Sequence, residues 1–195
     1  ALETIILRLL EKDPKDRFAS ARDVCYALGQ ATLKLGSVAR GNLPQIPTDF
    51  IRNENEIKQV IQLLESDQLV TLLNHDAFSL ALAVGAQLSD QLADGAWLVQ
   101  LESVNGPGMV LQNVASILGV RENPNRPLAV SLIETLCEKN LLLLLDRCEL
   151  FSGACVQLVE TIIGSCPDVR ILATSRQRLN IPAEKCYRGA GETVS

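Results

Sequence analysis

Two rhythms of apolar positions alternate along this chain. In residues 2–11 (LETIILRLLE), Leu2, Ile5, Ile6, Leu9 and Leu10 share one helical face. Pro14 breaks that pattern. A second helix is predicted from Ser20, with Asp23 three residues on in the manner of a capping box, running through DVCYALGQATLKL to a stop near Gly36. GSVARGNLPQIPT (36–48) holds two glycines and two prolines with little periodicity and reads as a linker. Beyond it, NENEIKQVIQLLESD places Ile57, Val60, Ile61 and Leu64 at helical spacing.

From there the rhythm changes. LVTLL (69–73), AWLVQLE (96–102), NLLLLLD (140–146) and VRILATS (169–175) are runs of Val, Leu and Ile with few polar interruptions, as strands covered on both faces must be. Helical patterns lie between them at 77–92, 108–119, 127–138 and 153–165. Such alternation predicts an α/β fold, a parallel sheet with helices on both faces. Three segments follow: helices over 1–35, the linker 36–48 and the α/β domain 49–195.

Composition narrows the partners. The 195 residues are 47% hydrophobic and 21% charged, with a formal net charge of −5. That is a globular composition, and an acidic surface argues against direct binding of nucleic acid or anionic membrane. The longest apolar run, Leu141–Leu145, is far too short to span a bilayer, and no leader pattern opens the chain, so the cytoplasm is the expected setting. Six cysteines occur singly and there is one histidine, His75, which makes a zinc site improbable. Reduced cysteines serving as small core residues are the expected reading. The start at Ala1 and the end at GAGETVS read as a piece of a longer protein.

Candidate chemistry sits where ligands bind in open α/β sheets, at the carboxyl ends of strands. The first predicted strand ends in Asn74, His75 and Asp76, the second in Glu102, the third in Asp146 and the fourth in Thr174, Ser175 and Arg176. Asp146, at the tip of an all-apolar strand, is placed to hold magnesium, or else to cap the helix that follows. Arg176 could reach a terminal phosphate, or pair at the surface for little energy. His75 reads as a polar turn residue with no nucleophile beside it.

The strand–turn–helix at VTLLNHDAFSLALAVGAQL has the outline of a phosphate-binding loop without its residues. A working G-x-x-x-x-G-K-[ST] loop exposes backbone N–H groups through glycine and adds a lysine and a hydroxyl. NHDAFS contains neither glycine nor lysine, and no lysine occurs between Lys58 and Lys139. Ser79 offers the hydroxyl, whereas Asp76 would repel a triphosphate.

Two resemblances rest on these motifs. LETIILRLLEKDPKDRFASARDVCYAL resembles the last helices of bacterial serine/threonine protein kinase domains, with their K-D-P-x-x-R-[FY] and S-A-x-[DE]-[VL] patterns. In that family Arg17 would pair with a glutamate of the activation segment, and the kinase active site would lie before residue 1. Residues 43–188 resemble the NB-ARC-like group of signal-transducing P-loop ATPases. NLPQIPTDFIRNENEI is similar to N-L-P-x-x-x-[TS]-x-F-[IV]-G-R-E-x-E-[IL], and LLLLLDRCEL to the Walker B pattern L-L-[LV]-L-D-N-C-E-H. VRILATSRQRLNIPAEKCYR is similar to V-[RL]-[IV]-L-A-T-S-R-x-x-L-x-[IV]-x-G-E-x-x-[YW].

The second resemblance implies ATP or ADP with magnesium as cofactor. Asp146 would be the magnesium-side acid, Glu149 the acid just after it with a possible catalytic role, and Arg176 the phosphate-sensing arginine. Ser79 and Glu54 would complete the nucleotide contacts. The departures are as informative. LNHDAFSLA stands for T-G-x-G-G-x-G-K-T-R-L-A, Arg147 for Asn and Leu150 for His, and of G-R-E only Glu54 matches. The implied protein is a signalling kinase fused to an NB-ARC-like module that has lost efficient ATP binding and hydrolysis. Its partners would be other domains of its own chain and signalling proteins, with oligomerisation possible. The alternative is a nucleotide-dependent switch.

Overall fold

The computed structural model describes residues 41–44, 54–74, 76–189 and 193–194, the last two by backbone alone. The chain divides into two units, Ala1–Ala39 and Arg40–Ser195, and every described residue belongs to the second. The kinase-like helices of residues 1–35 and His75 lie outside the described residues.

Helix α1 (Glu54–Ser66) leads into β1 (Leu69–Leu72), and α2 (Ala77–Ser89) connects it to β2 (Ala96–Gln100). Short 3-10 turns at Leu101–Ser103 and Pro107–Met109 precede α3 (Val110–Ile117), and α4 (Leu128–Cys137) follows. Next come β3 (Leu141–Asp146), a 3-10 turn at Cys148–Phe151, α5 (Ser152–Ser165) and β4 (Val169–Thr174). Two strands absent from the expected set close the domain, β5 (Glu184–Tyr187) and β6 (Thr193–Val194). KCY carries only one typical strand former after Glu184, so its pairing to β1 had no strong local signal.

The strands form one sheet in the order β2-β3-β4-β1-β5-β6. Every neighbouring pair is parallel except β5 with β6. Alternation divides the strand residues between two cores. Leu141, Leu143, Leu145, Ile171 and Val99 face α3, α4 and α5. Val70, Leu72, Leu142, Leu144, Leu172 and Leu98 face α1 and α2. Both sides of β3 are therefore apolar, and all six of its residues are buried.

Helix α2 buries Ala77, Leu80, Ala81, Leu82, Ala83, Val84, Gly85 and Leu88. A helix apolar on most of its circumference must be enclosed, and α2 packs on β2, β3 and β4 with α1 beside it on the same face and Leu43 against it. Gly85 admits that closeness: a Cβ there would lie 3.0 Å from Leu43 Cδ1 and 3.2 Å from Leu144 Cδ2. Residues 41–44, within the stretch read as linker, dock on the sheet edge. Gly41 bridges Ala96, the Asn42 side chain accepts the Leu98 N–H at 2.6 Å, and its Nδ2 donates to the Leu98 carbonyl at 2.8 Å.

Candidate functional site

Strand order places the crevice. From β1 the chain leaves through α2 for the far edge at β2, whereas from β4 it crosses to β5 on the opposite side of β1. The carboxyl ends of β1 and β4 therefore flank the point where connections diverge, the usual ligand site of an open α/β sheet.

Asp146 ends β3 and is 7% exposed. Its Oδ1 accepts the Thr174 hydroxyl from the tip of β4 at 2.6 Å, and that hydroxyl oxygen accepts the Arg147 N–H at 2.9 Å. Burial pushes the Asp146 carboxyl above the ordinary value, against the opposing pull of the Thr174 hydrogen bond and the Arg147 charge. The aspartate is thus tied into a junction between two strands; it makes no helix cap.

Arg147 turns the chain out of β3 in the left-handed region, with φ 62° and ψ 50°. Its Nη1 lies 2.8 Å from Glu102 Oε1, beyond β2, and its Nε 3.9 Å from Glu149 Oε1. Arg176 Nε lies 3.6 Å from the same Glu149 oxygen, on a side chain that is 82% exposed. Three of the residues expected at the site, Asp146, Glu149 and Arg176, are therefore brought together. They meet as a chain of ion pairs, Glu102–Arg147–Glu149–Arg176, with Asp146 and Thr174 beneath it.

Ser79 and Glu54 do not join that group. Ser79 lies half-buried in the first turn of α2 and Glu54 opens α1 on the surface. Neither makes a hydrogen bond or ion pair to the cluster among the described residues. The turn from β1 to α2 is only Leu73–Asp76, since helix begins at Ala77. Asp76 is exposed at the helix N-terminus and makes no side-chain capping bond.

The turn lacks the residues with which a phosphate-binding loop holds a nucleoside triphosphate. Four residues between strand and helix leave no loop to arch around a phosphate, and none of them is glycine or lysine. The residue at the partial positive end of α2 is an acid, Asp76. The buried atoms lacking partners at the strand tips, Asn74 Oδ1 and Glu149 Oε2, are both acceptors. They call for a donor or a cation, and a polyanion supplies neither. The two nearby arginines are already engaged with carboxylates.

One residue outside the expected set holds the crossover from β4 to β5, at the amino end of the sheet where β5 starts beside Leu69. Glu184, 5% exposed at the start of β5, accepts the N–H groups of Leu179 and Asn180, both at 2.9 Å. Asn180 has φ 59°, so the carboxylate fixes a left-handed turn just beyond Arg176. Its only signal in the sequence is its place in IPAEKCY, where the resembling motif also has an acid.

Comparison with known proteins agrees with this architecture. Over 144 residues the chain is 30% identical to an uncharacterized protein of Mycobacterium tuberculosis (strain ATCC 25618 / H37Rv), which covers 72% of this chain and 37% of that protein. Over 127 residues it is 32% identical to a candidate HTH-type transcriptional regulator of the same strain, covering 65% of this chain and 14% of the regulator. Among solved structures it resembles Cdc6p from Pyrobaculum aerophilum, with a TM-score of 0.51 and 12% identity over 70% of this chain and 42% of that one. At that identity the likeness concerns the fold alone. This is a P-loop-NTPase-like α/β fold. No protein-family model matches the chain. The chain spans well under half of the length of these curated relatives. Among the described residues, no helix is long and apolar enough to cross a membrane.

Proposed function

We propose that this domain retains a P-loop-type fold as a regulatory or interaction module and has lost efficient binding and hydrolysis of ATP. One observation carries the reading: the strand-to-helix turn that should cradle phosphates is four residues long and presents the carboxylate of Asp76. The parent protein is read as a bacterial signalling protein, in which a serine/threonine kinase domain, resembled by residues 1–35, precedes the α/β module. Similarity to a candidate transcriptional regulator supports the regulatory part of that reading. Its partners would be other domains of the same chain and signalling proteins, in the cytoplasm.

A second reading, a nucleotide-dependent switch, draws support from the assembled strand tips, where Asp146, Thr174, Glu149 and Arg176 still meet. Calorimetric titration of the chain with ATP or ADP plus magnesium separates the two. The expected result is no heat and no change in melting temperature up to millimolar nucleotide. Micromolar binding that disappears in Asp146→Ala and weakens in Arg176→Ala would establish the switch instead.

A further inference from the structure

Cys137 ends α4 and Cys166 follows α5, yet the two side chains meet. Their sulfurs lie 2.9 Å apart, less than 1 Å beyond a disulfide bond of ~2.05 Å. Five cysteines are described, and four of them (Cys148, Cys155, Cys166 and Cys186) are buried, as small core residues should be. Cys137 is exposed. The pair therefore joins an accessible sulfur to a fully buried one. Each is also held in place: Cys137 Sγ lies 3.1 Å from the Ser165 carbonyl oxygen, and Cys166 Sγ 3.6 Å from that of Ile133.

From this geometry we infer that Cys137 and Cys166 form a reversible oxidation site, in which hydroperoxide converts the pair to an intramolecular disulfide stapling α4 to the end of α5. Accessibility decides which sulfur reacts first. Burial and the neighbouring Cys137 push the Cys166 thiol up to about 12, so it stays protonated while Cys137 meets the oxidant. The Cys137 thiolate attacks one peroxide oxygen, the O–O bond breaks, and the departing hydroxide takes up a proton to leave as water. The sulfur of Cys166 then attacks the Cys137 sulfenic sulfur. The S–O bond breaks, and the hydroxyl leaves with the Cys166 proton as a second water. Two thiols lose two electrons in all, and one hydrogen peroxide becomes two waters.

The staple has a structural consequence. α4 and α5 are walls of an apolar cavity of about 320 Å³, lined by Leu111, Leu132, Ile133, Ala154 and Leu158 among others. Tying their ends limits how far the two walls can separate.

The test uses the whole 195-residue chain, fully reduced and then exposed to stoichiometric hydrogen peroxide at low micromolar protein. Remaining thiols are alkylated before tryptic mass spectrometry without reductant. The expected product joins Glu122–Lys139 to Cys148–Arg170 with loss of two hydrogens and is reversed by dithiothreitol. Since the second peptide also holds Cys148 and Cys155, fragmentation must place the link at Cys166. By closing a loop of about 30 residues, the link should raise the melting temperature by roughly 5–10 °C. Cys137→Ser, at an exposed position, should abolish both the linked peptide and that rise without unfolding the protein. A link to Cys148 or Cys155, a link between two chains, over-oxidation of Cys137 with Cys166 still a free thiol, or full alkylation of both would each overturn the inference.

Discussion

Asp146 carries an environment that opposes its own charge. A carboxyl raised above its unfolded value binds a proton more tightly when folded, so its favourable contribution is full below the unfolded pKa and is lost as pH rises through the folded one. Asp146→Asn keeps an acceptor for the Thr174 hydroxyl and removes the buried charge. It should therefore melt higher than the parent at pH 7, and the difference should vanish below about pH 4, near the ordinary carboxyl value. Calorimetric melting at a series of pH values checks both the sign and the window. One position along, Arg147 holds a left-handed backbone that asparagine tolerates better. Its ion-pair partner Glu102 is 72% exposed, so the lost pair is worth little. Arg147→Asn should change stability by less than about 1 kcal/mol. It should also leave Glu102 without its ion-pair partner and Glu149 with Arg176 alone, beside the Asp146 carboxyl, so millimolar magnesium should raise its melting temperature more than the parent's.

Between elements, the crossover from β4 to β5 depends on one buried acid at the start of β5. The loop between β4 and β5 is held by two N–H bonds to the Glu184 carboxylate. Hydrogen bonds to charged acceptors contribute about 1.5–3 kcal/mol each, and removal of a buried acceptor leaves both donors unsatisfied. Glu184→Ala should lower stability by about 3 kcal/mol, measured by urea unfolding. It should also speed hydrogen exchange at Leu179 and Asn180 while the amides of β3 stay protected. Uniform loss of protection across the sheet would contradict so local a role.

At the scale of the whole domain, the edge at β2 is finished by chain from outside the sheet. Gly41 has φ 135°, and a Cβ there would fall 1.8 Å from the Ala96 carbonyl oxygen. Gly41→Ala cannot keep the bridge to Ala96, so it should release Asn42 from Leu98 and cost about 1–3 kcal/mol. New protease sensitivity confined to residues near 41–44 would report that release. A stretch carrying two glycines and two prolines looked like a spacer because docking by one glycine and one asparagine leaves no periodic trace.

What could be read from the chain alone is what local patterning encodes. Unbroken apolar runs specify strands buried on both faces, and four of the sheet's six strands stand where those runs are, with boundaries shifted by only a residue or two. AWLVQLE was cut shorter, because the 3-10 turn at Leu101–Ser103 ends the extended backbone. The poverty of the β1–α2 turn was equally legible, since glycine and lysine are either present or not. Asp146, Glu149 and Arg176 could be chosen from their places after strands and in motifs, but not their partners. That Arg147 reaches Glu102 and Glu149, that Thr174 locks Asp146, and that Cys137 touches Cys166 all depend on strand order and helix packing. These contacts join residues distant in the chain, and only the closed sheet with helices packed on both faces brings such residues within bonding distance.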